Sequence, residues 1–477
     1  MAVEVPAAEL ELTEEKTPLT PHRPRISKKG RIDVSKKAWA FRVAVISALI
    51  SLMAYNVSLS LAIGDPLIVY STLMPTHTLI IFIVGWFFFK KKPSGEINDD
   101  PVSVIIPVYN QQSLIENVID AVFRSTYPNI EVIAVNDGSK DNSGAVLDKL
   151  ANKHSGLKVI HKPNGGKRTA VATGFYASKG KFIVLIDSDS IIDECAIEEF
   201  MRTFSANPNV GGMAGNGRVL NANKNVLTKC QDVWYDSAFN IHKTTESTFG
   251  TVLCCSGCLA AYRREAIARF IPFWAEADVQ MSDDRDLTTY VTASSWAKKE
   301  MAPLAQHLME SMAKYDDSED RGLTAQTLTT WKTVYVPTAV VHTEVPEKMK
   351  SWIRQQTRWR KGYLRSCTFV SAFFWKKHPL MALVFYTEFM QSFMSPLIFF
   401  IVYIYAPLFL HNYLLPLTYL AGQLLLGFAS GLDYRFRDPT AKNWFYKPLM
   451  SLLTLLVIPW LLFPAIWTYK KNRWLTR

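Results

Sequence analysis

Residues 41–63, 66–89, most of 380–432 and 448–469 are apolar and almost free of charge. Each run reaches the roughly 20 residues that a helix needs to cross a bilayer core. A soluble core seldom needs several uncharged runs of that length, so the chain reads as an integral membrane protein. In hydrocarbon every backbone N–H and C=O must find a partner within the protein, which makes these runs helical.

Charge supports the same reading. The formal net charge is +11, and much of the excess lies at the edges of the apolar runs: Lys28, Lys29, Arg31, Lys36, Lys37 and Arg42 by the first, Lys90, Lys91 and Lys92 after the second. Flanking cations mark the cytoplasmic side of a membrane, and charge that follows membrane edges argues against a nucleic-acid partner. Residues 1–38 read as a disordered cytosolic tail. The first apolar run begins too late and is too long for a cleavable signal peptide. Residues 39–92 then form two transmembrane helices joined near Gly64-Asp65-Pro66, an even number of crossings that returns the chain to the cytosol.

Residues 93–347 read as a soluble domain, with a polar, variable insert over 292–330. Val102–Val108 is a β-branched run expected as a buried strand. Ser113–Arg124 has helical periodicity, Glu131–Val135 reads as the next strand, Ser143–Asn152 as a helix, Lys158–His161 as extended, Thr169–Ser178 as a helix, and Phe182–Ile186 as a strand. Strands alternating with helices predict an α/β, Rossmann-like, mostly parallel sheet, and such sheets bind ligands outside the carboxyl ends of their strands. Asp137 and Asp187 both end strands, so both should face one crevice. Residues 348–379 look amphipathic and suit helices lying in the membrane interface; packing on the soluble domain is the alternative. Leu380–Leu410 and Tyr413–Leu432 read as two crossings. The last run carries Pro448, Pro459 and Pro464, and full crossing would put Lys470, Lys471, Arg473 and Arg477 outside. It is therefore read as broken or re-entrant, with the C-terminus cytosolic.

Five motifs carry chemistry. Asp187-Ser188-Asp189 sets two carboxylates at a strand tip, and hard cations such as Mg2+ or Mn2+ take oxygen ligands of this kind. Asp137 beside Gly138 can accept hydrogen bonds from a base or ribose, or can simply close an Asx-type turn. Asn164-Gly165-Gly166-Lys167-Arg168 opens a helix, where glycines allow close approach and Lys167 and Arg168 suit phosphate; a plain turn is the alternative. Ser282-Asp283-Asp284-Arg285 offers Asp284 as a general base, with Asp283 supporting it or pairing with Arg285. In Gln355-Gln356-Thr357-Arg358-Trp359, helical spacing brings Gln355 near Arg358 and Trp359. A guanidinium can pair with pyrophosphate, and an indole offers a platform for a pyranose ring. Cys254, Cys255 and Cys258 lack the second ligand pair expected of a structural zinc site.

This set, in this order, resembles the inverting, processive, membrane-integrated family 2 glycosyltransferases, which include cellulose, chitin and hyaluronan synthases. Further phrases are similar to the streptococcal and vertebrate hyaluronan synthases: Tyr235-Asp-Ser-Ala-Phe239, Cys255-Ser-Gly257, Tyr262-Arg-Arg-Glu265, Thr333-Val-Tyr335 and the terminal Trp474-Leu-Thr-Arg477. The resemblance covers about 90–477. It implies a GT-A domain between transmembrane helices in the plasma membrane, a UDP-sugar donor and a growing polysaccharide. It makes Asp284 the base and Asp187 and Asp189 metal ligands. Asp137, Lys167, Arg168, Asp187, Gln355, Arg358, Trp474 and Arg477 become donor contacts, the last two on a gating segment. Trp359, Cys255, Ser256 and Gly257 become acceptor contacts. Cys258 stands where that family commonly has proline, Ser282 where it has glycine, and Arg360-Lys361-Gly362 departs from its usual run; these bear on which sugar is used. A transferase adding one sugar to a lipid carrier, or a non-catalytic nucleotide-binding membrane scaffold, are the competing readings.

Overall fold

A computed structural model of the chain describes residues 24, 26–27, 30–64, 73–276, 282–293 and 331–469. Most of the expected tail, the link after Gly64, nearly all of the 292–330 insert and the terminal Trp474 and Arg477 lie outside the described residues.

Helix α1 (Lys36–Ile63) begins where Ser35 accepts a hydrogen bond from the Ala38 amide and ends where Gly64 turns left-handed at φ 75°, the conformation that glycine adopts without strain. Helix α2 (Leu73–Ile83) runs into a π-turn at Val84–Phe88. Together these reach about 24 Å at 1.5 Å per residue, less than a bilayer core. Gly85 lets this segment press on the soluble domain, since a Cβ there would lie 2.9 Å from Ile241 O.

The soluble domain begins at β1 (Val102–Val108), followed by α3 (Ile115–Phe123), β2 (Ile130–Asp137), α4 (Ser143–Lys153), β3 (Leu157–Lys162), α5 (Lys167–Ala177), β4 (Phe182–Leu185), β5 (Ser190–Ile192), α6 (Ala196–Ala206), β6 (Val210–Val219), α7 (Val226–Ser237), α8 (Lys243–Thr248) and β7 (Ala260–Arg263). After two short helices come α9 (Asp283–Thr292) and β8 (Lys332–Thr343). The described strands form one eight-stranded sheet in the order β3-β2-β1-β4-β7-β6-β8-β5. The β1/β2, β2/β3, β1/β4 and β6/β8 pairs are parallel, while β7 and β5 run antiparallel to their neighbours. Every residue of β1 is buried. That is why β1 reads as a continuous apolar run rather than an alternating one, as expected of a strand covered on both faces.

Helix α10 (Met349–Ser371) leads from the domain to α11 (Pro379–Phe400), which continues through a π-turn to Phe409; α12 (Leu414–Arg437), α13 (Lys447–Val457) and α14 (Leu462–Trp467) follow. Four described helices are long and apolar enough to cross a membrane: Lys36–Ala62, Pro379–Phe409, Leu414–Arg437 and Trp444–Trp467. The last is interrupted by a 3-10 turn at Ile458–Leu461, where Pro459 removes a helical donor. Leu417 and Leu425 are 63% and 68% exposed, as a lipid-facing surface requires. An apolar cluster including Leu49, Phe82, Trp86, Phe373, Phe374 and Phe385 joins the first helices to α11.

Candidate functional site

The crevice lies where the strands end. Asp137 is the last residue of β2, and its carboxylate accepts from Gly165 N at 3.0 Å, Gly166 N at 2.8 Å and Lys162 Nζ at 2.6 Å. Gly138 is required here: its φ is 67°, and a Cβ would stand 2.6 Å from Asn164 N. Asp137 lines the cavity, yet its oxygens hold the Asn164–Gly166 loop that positions Lys167.

Lys167, the first residue of α5, makes an ion pair with Asp187. Burial by itself would lower its pKa, but Asp187, Asp283 and Asp284 carry it above the usual lysine range. Asp187-Ser188-Asp189 bridges β4 to β5 on the far edge of the sheet. Asp189 Oδ1 is 3.2 Å from Ser190 Oγ and 3.4 Å from Thr343 Oγ1. No described group of three or more His, Cys, Asp or Glu side chains forms a ready metal cage. Two carboxylates beside a crevice still fit a hard cation whose other ligands are phosphate oxygens and water, the usual way magnesium is held at nucleotide sites.

Asp284 stands in the first turn of α9. Gly257 N donates to its Oδ2 at 3.1 Å, Cys254 Sγ lies 3.4 Å from the same oxygen, and Arg285 N donates to Oδ1 at 2.9 Å. Burial pushes its pKa up, but Lys167, the Gly257 amide, Cys254 and Arg285 together hold it below the usual carboxylate range. Gly257 lies close against this pair: a Cβ there would stand 2.8 Å from Lys167 Nζ and 3.2 Å from Asp187 Oδ2, so a larger residue would push the lysine end aside.

Three expectations are corrected. Arg168 does not face the crevice. Its guanidinium is 1% exposed and is consumed by Asp283 at 2.7 Å, Asp286 at 2.6 Å and Trp274 O at 3.2 Å. At the start of α5, Lys167 points to the cavity and Arg168 points inward. Asp283 accordingly pairs with Arg168, not Arg285, and acts as a structural anchor. Cys255 is fully buried, its amide bonded to Thr288 Oγ1 at 2.8 Å; Cys254, Ser256, Gly257 and Cys258 line the cavity in its neighbourhood.

Gln355, Arg358 and Trp359 of α10 line the same cavity, and Gln355 Oε1 is buried with no partner among the described residues. Trp359 stacks on Trp234 of α7, with centroids 5.6 Å apart and planes at 16°. Trp234, Lys243 and Glu246 also line the cavity. None was expected from the sequence, because α7 and α8 reach the site only through the fold. Burial raises the Glu246 pKa to about 7, against the pull of Lys243 and Arg285.

The cavity has a volume of about 1490 Å3 and does not stop at the domain: Gln391, Ser395, Tyr419, Gln423, Ser451 and Thr454 of the apolar helices continue its wall.

Residues 103–270 match the glycosyl transferase family 2 model. Hyaluronan synthase of Streptococcus pyogenes is 27% identical over 452 residues, covering 91% of this chain and 95% of that protein. Poly-beta-1,6-N-acetyl-D-glucosamine synthase of Staphylococcus epidermidis is 25% identical over 60% of this chain and 63% of its own length. Among solved structures, a mannosyltransferase from Pyrobaculum calidifontis, in complex with GDP-Man and Mn2+, covers 80% of this chain and 96% of its own, at 17% identity and a TM-score of 0.47. Residues 103–270 thus match a family 2 glycosyltransferase domain, set in an integral membrane protein that is similar to hyaluronan synthase over 91% of its length.

Proposed function

We propose that the protein is a processive, inverting polysaccharide synthase of the plasma membrane, with its catalytic domain in the cytosol. It polymerises UDP-sugars, UDP-N-acetylglucosamine alternating with UDP-glucuronate, and passes the product across the membrane. The observation that carries this reading is the one cavity that includes both Asp284 and the polar groups of the apolar helices. Polar side chains inside a membrane region are costly and mark a pathway. A polysaccharide leaving from Asp284 toward the membrane would need polar lining of this kind. The likeness to a hyaluronan synthase along nearly the whole chain supports the same reading.

In this mechanism the acceptor hydroxyl gives its proton to Asp284 as its oxygen attacks the anomeric carbon of the donor. The bond from that carbon to the diphosphate oxygen breaks, its electron pair leaves with UDP, and configuration inverts. Lys167 and Arg358 meet the charge on the departing diphosphate, and preorganised charge of this kind is usually the largest catalytic contribution. A magnesium or manganese ion on Asp187 and Asp189 supplies further positive charge there when bound. Asp137 and Gln355 contribute to the donor pocket. Ser256, Gly257 and Trp359, backed by Trp234, contact the acceptor. Trp474 and Arg477 belong to the same reading as donor contacts.

The test is synthesis by the purified full-length protein with Mg2+ or Mn2+ and radiolabelled UDP-N-acetylglucosamine, with and without UDP-glucuronate. High-mass product that needs both donors and is cut by hyaluronidase is expected. Product from UDP-N-acetylglucosamine alone, cut by chitinase, would make this a one-sugar synthase. A short product of fixed size would favour the lipid-carrier reading.

A further inference from the structure

Helix α11 holds Pro396 well inside its length. Proline has no N–H, so the carbonyl four residues earlier, that of Ser392, loses its helical partner. In an apolar helix a carbonyl left bare is costly and must be satisfied by a neighbour. Here the neighbour is Arg360 of α10: its NH2 donates to Ser392 O at 2.6 Å and lies 3.5 Å from Ser395 Oγ. Ser395 Oγ adds a weaker contact to the same carbonyl at 3.4 Å.

The position of this bond gives it consequence. Arg360 directly follows Trp359, and Arg360, Ser392 and Ser395 all line the cavity. The bond therefore ties the helix bearing Gln355, Arg358 and Trp359 to an apolar helix, in the cavity wall where domain and membrane segments meet. Arg360 Nε is buried and has no partner among the described residues. The guanidinium is thus aimed at the carbonyl at the expense of its own third edge.

We propose that Arg360 and Pro396 form a clasp: the proline vacates an acceptor, the arginine fills it, and the bond fixes α10 against α11. Arg360 is then a positioning residue that holds Trp359 for chain elongation. The elongation role rests on the polysaccharide-synthase reading, whereas the clasp does not.

A double-mutant cycle on the purified full-length protein tests it, with Arg360→Ala, Pro396→Ala and the double variant. Thermal unfolding and product length are measured beside UDP release. R360A is expected to lower Tm by about 3–5 °C and to shorten the polymer several-fold, with the donor KM little changed. P396A restores an N–H to Ser392 O within the helix, so it should be near wild type alone. The double variant should recover most of both losses, a coupling seen only between interacting sites. R360A as stable as wild type would overturn the clasp, and so would a double variant no better than R360A, which would make Arg360 a ligand contact through its Nε. Should R360A aggregate on purification, a monodisperse double variant supports the proposal and an aggregated one overturns it. If the wild type makes no polymer, the synthase reading fails, and the Tm cycle still decides the clasp.

Discussion

Arg42 on α1 and Asp433 on α12 are 391 residues apart in the chain and form a buried ion pair of 2.7 Å. The pair is one link of a longer chain. Arg437 shares Asp433 at 2.7 Å and reaches Asp236 of α7 at 2.5 Å, and Arg42 also donates to Trp86 O at 3.3 Å. The first apolar helix, a C-terminal apolar helix and the glycosyltransferase domain are thus fastened at one point by charges that water does not reach.

Removing the shared carboxylate should be severe. Asp433→Ala leaves the buried Arg42 guanidinium without its anion and takes from Arg437 one of its two carboxylates, the other being Asp236; breaking a buried pair in this way typically costs about 3–5 kcal/mol. The variant should show a clearly lower Tm in detergent. A Tm within a degree of wild type would mean that the network contributes little.

Arg168 is expected to behave as a structural residue. Arg168→Met strands Asp283 and Asp286 together, so thermal stability should fall by about 3 kcal/mol or more. UDP affinity of the protein that remains folded should stay within a few-fold of wild type. A large selective loss of UDP binding at unchanged stability would return Arg168 to the donor site.

For Asp284, substitution by Asn keeps the shape and removes the base. Polymer synthesis should drop by about 10²-fold or more, with UDP binding nearly intact. Because neighbouring cations and donors hold its pKa below the usual carboxylate range, Asp284 stays ionised throughout the neutral range. Its acid limb in the rate profile should appear only below the ordinary carboxylate pKa. Near-normal synthesis by D284N would exclude it as the base.

Metal dependence should run through Asp189. Asp189→Ala is expected to weaken Mn2+-dependent UDP binding by on the order of 10-fold, measured by calorimetry with and without the ion. Equal stimulation by Mn2+ in variant and wild type would remove Asp189 from the metal site.

Glu246 should make stability depend on pH. Its folded pKa, about 7, lies above the ordinary glutamate value of 4.5, so between the two the folded state holds a proton that the unfolded state has released. The contribution is complete below about 4.5 and is lost as pH rises through about 7. Glu246→Gln should flatten the fall in Tm between pH 5 and 7. An identical slope in both proteins would show that Glu246 does not titrate there.

Much of the site was legible along the chain because its carboxylates sit at strand ends. Val102–Val108 is buried throughout, as are Phe182–Val184, and short, mostly apolar runs rich in Val and Ile declare that locally; Asp137 and Asp187 follow from where such runs stop. Trp359 was legible through its helical spacing from Gln355. Arg168 was misread because Lys167 and Arg168 are adjacent and equally cationic. Only the direction of each side chain at the first turn of α5 separates them, and that depends on Asp283 and Asp286, over a hundred residues away.

By itself, the sequence determined what local composition can determine: apolar runs long enough for a membrane, an α/β domain between them, and acidic motifs at strand tips. Those features are set by backbone hydrogen bonding and by transfer of side chains from water, which act over a few residues at a time. Tertiary structure alone decided the Arg42–Asp433–Arg437–Asp236 chain, the Trp234–Trp359 stack, the Arg360 bond to Ser392 O, and the cavity that joins Asp284 to Gln423 and Thr454. Each brings together groups from elements far apart in the chain. Their energies depend on distance and burial, which exist only once the helices and sheet have packed.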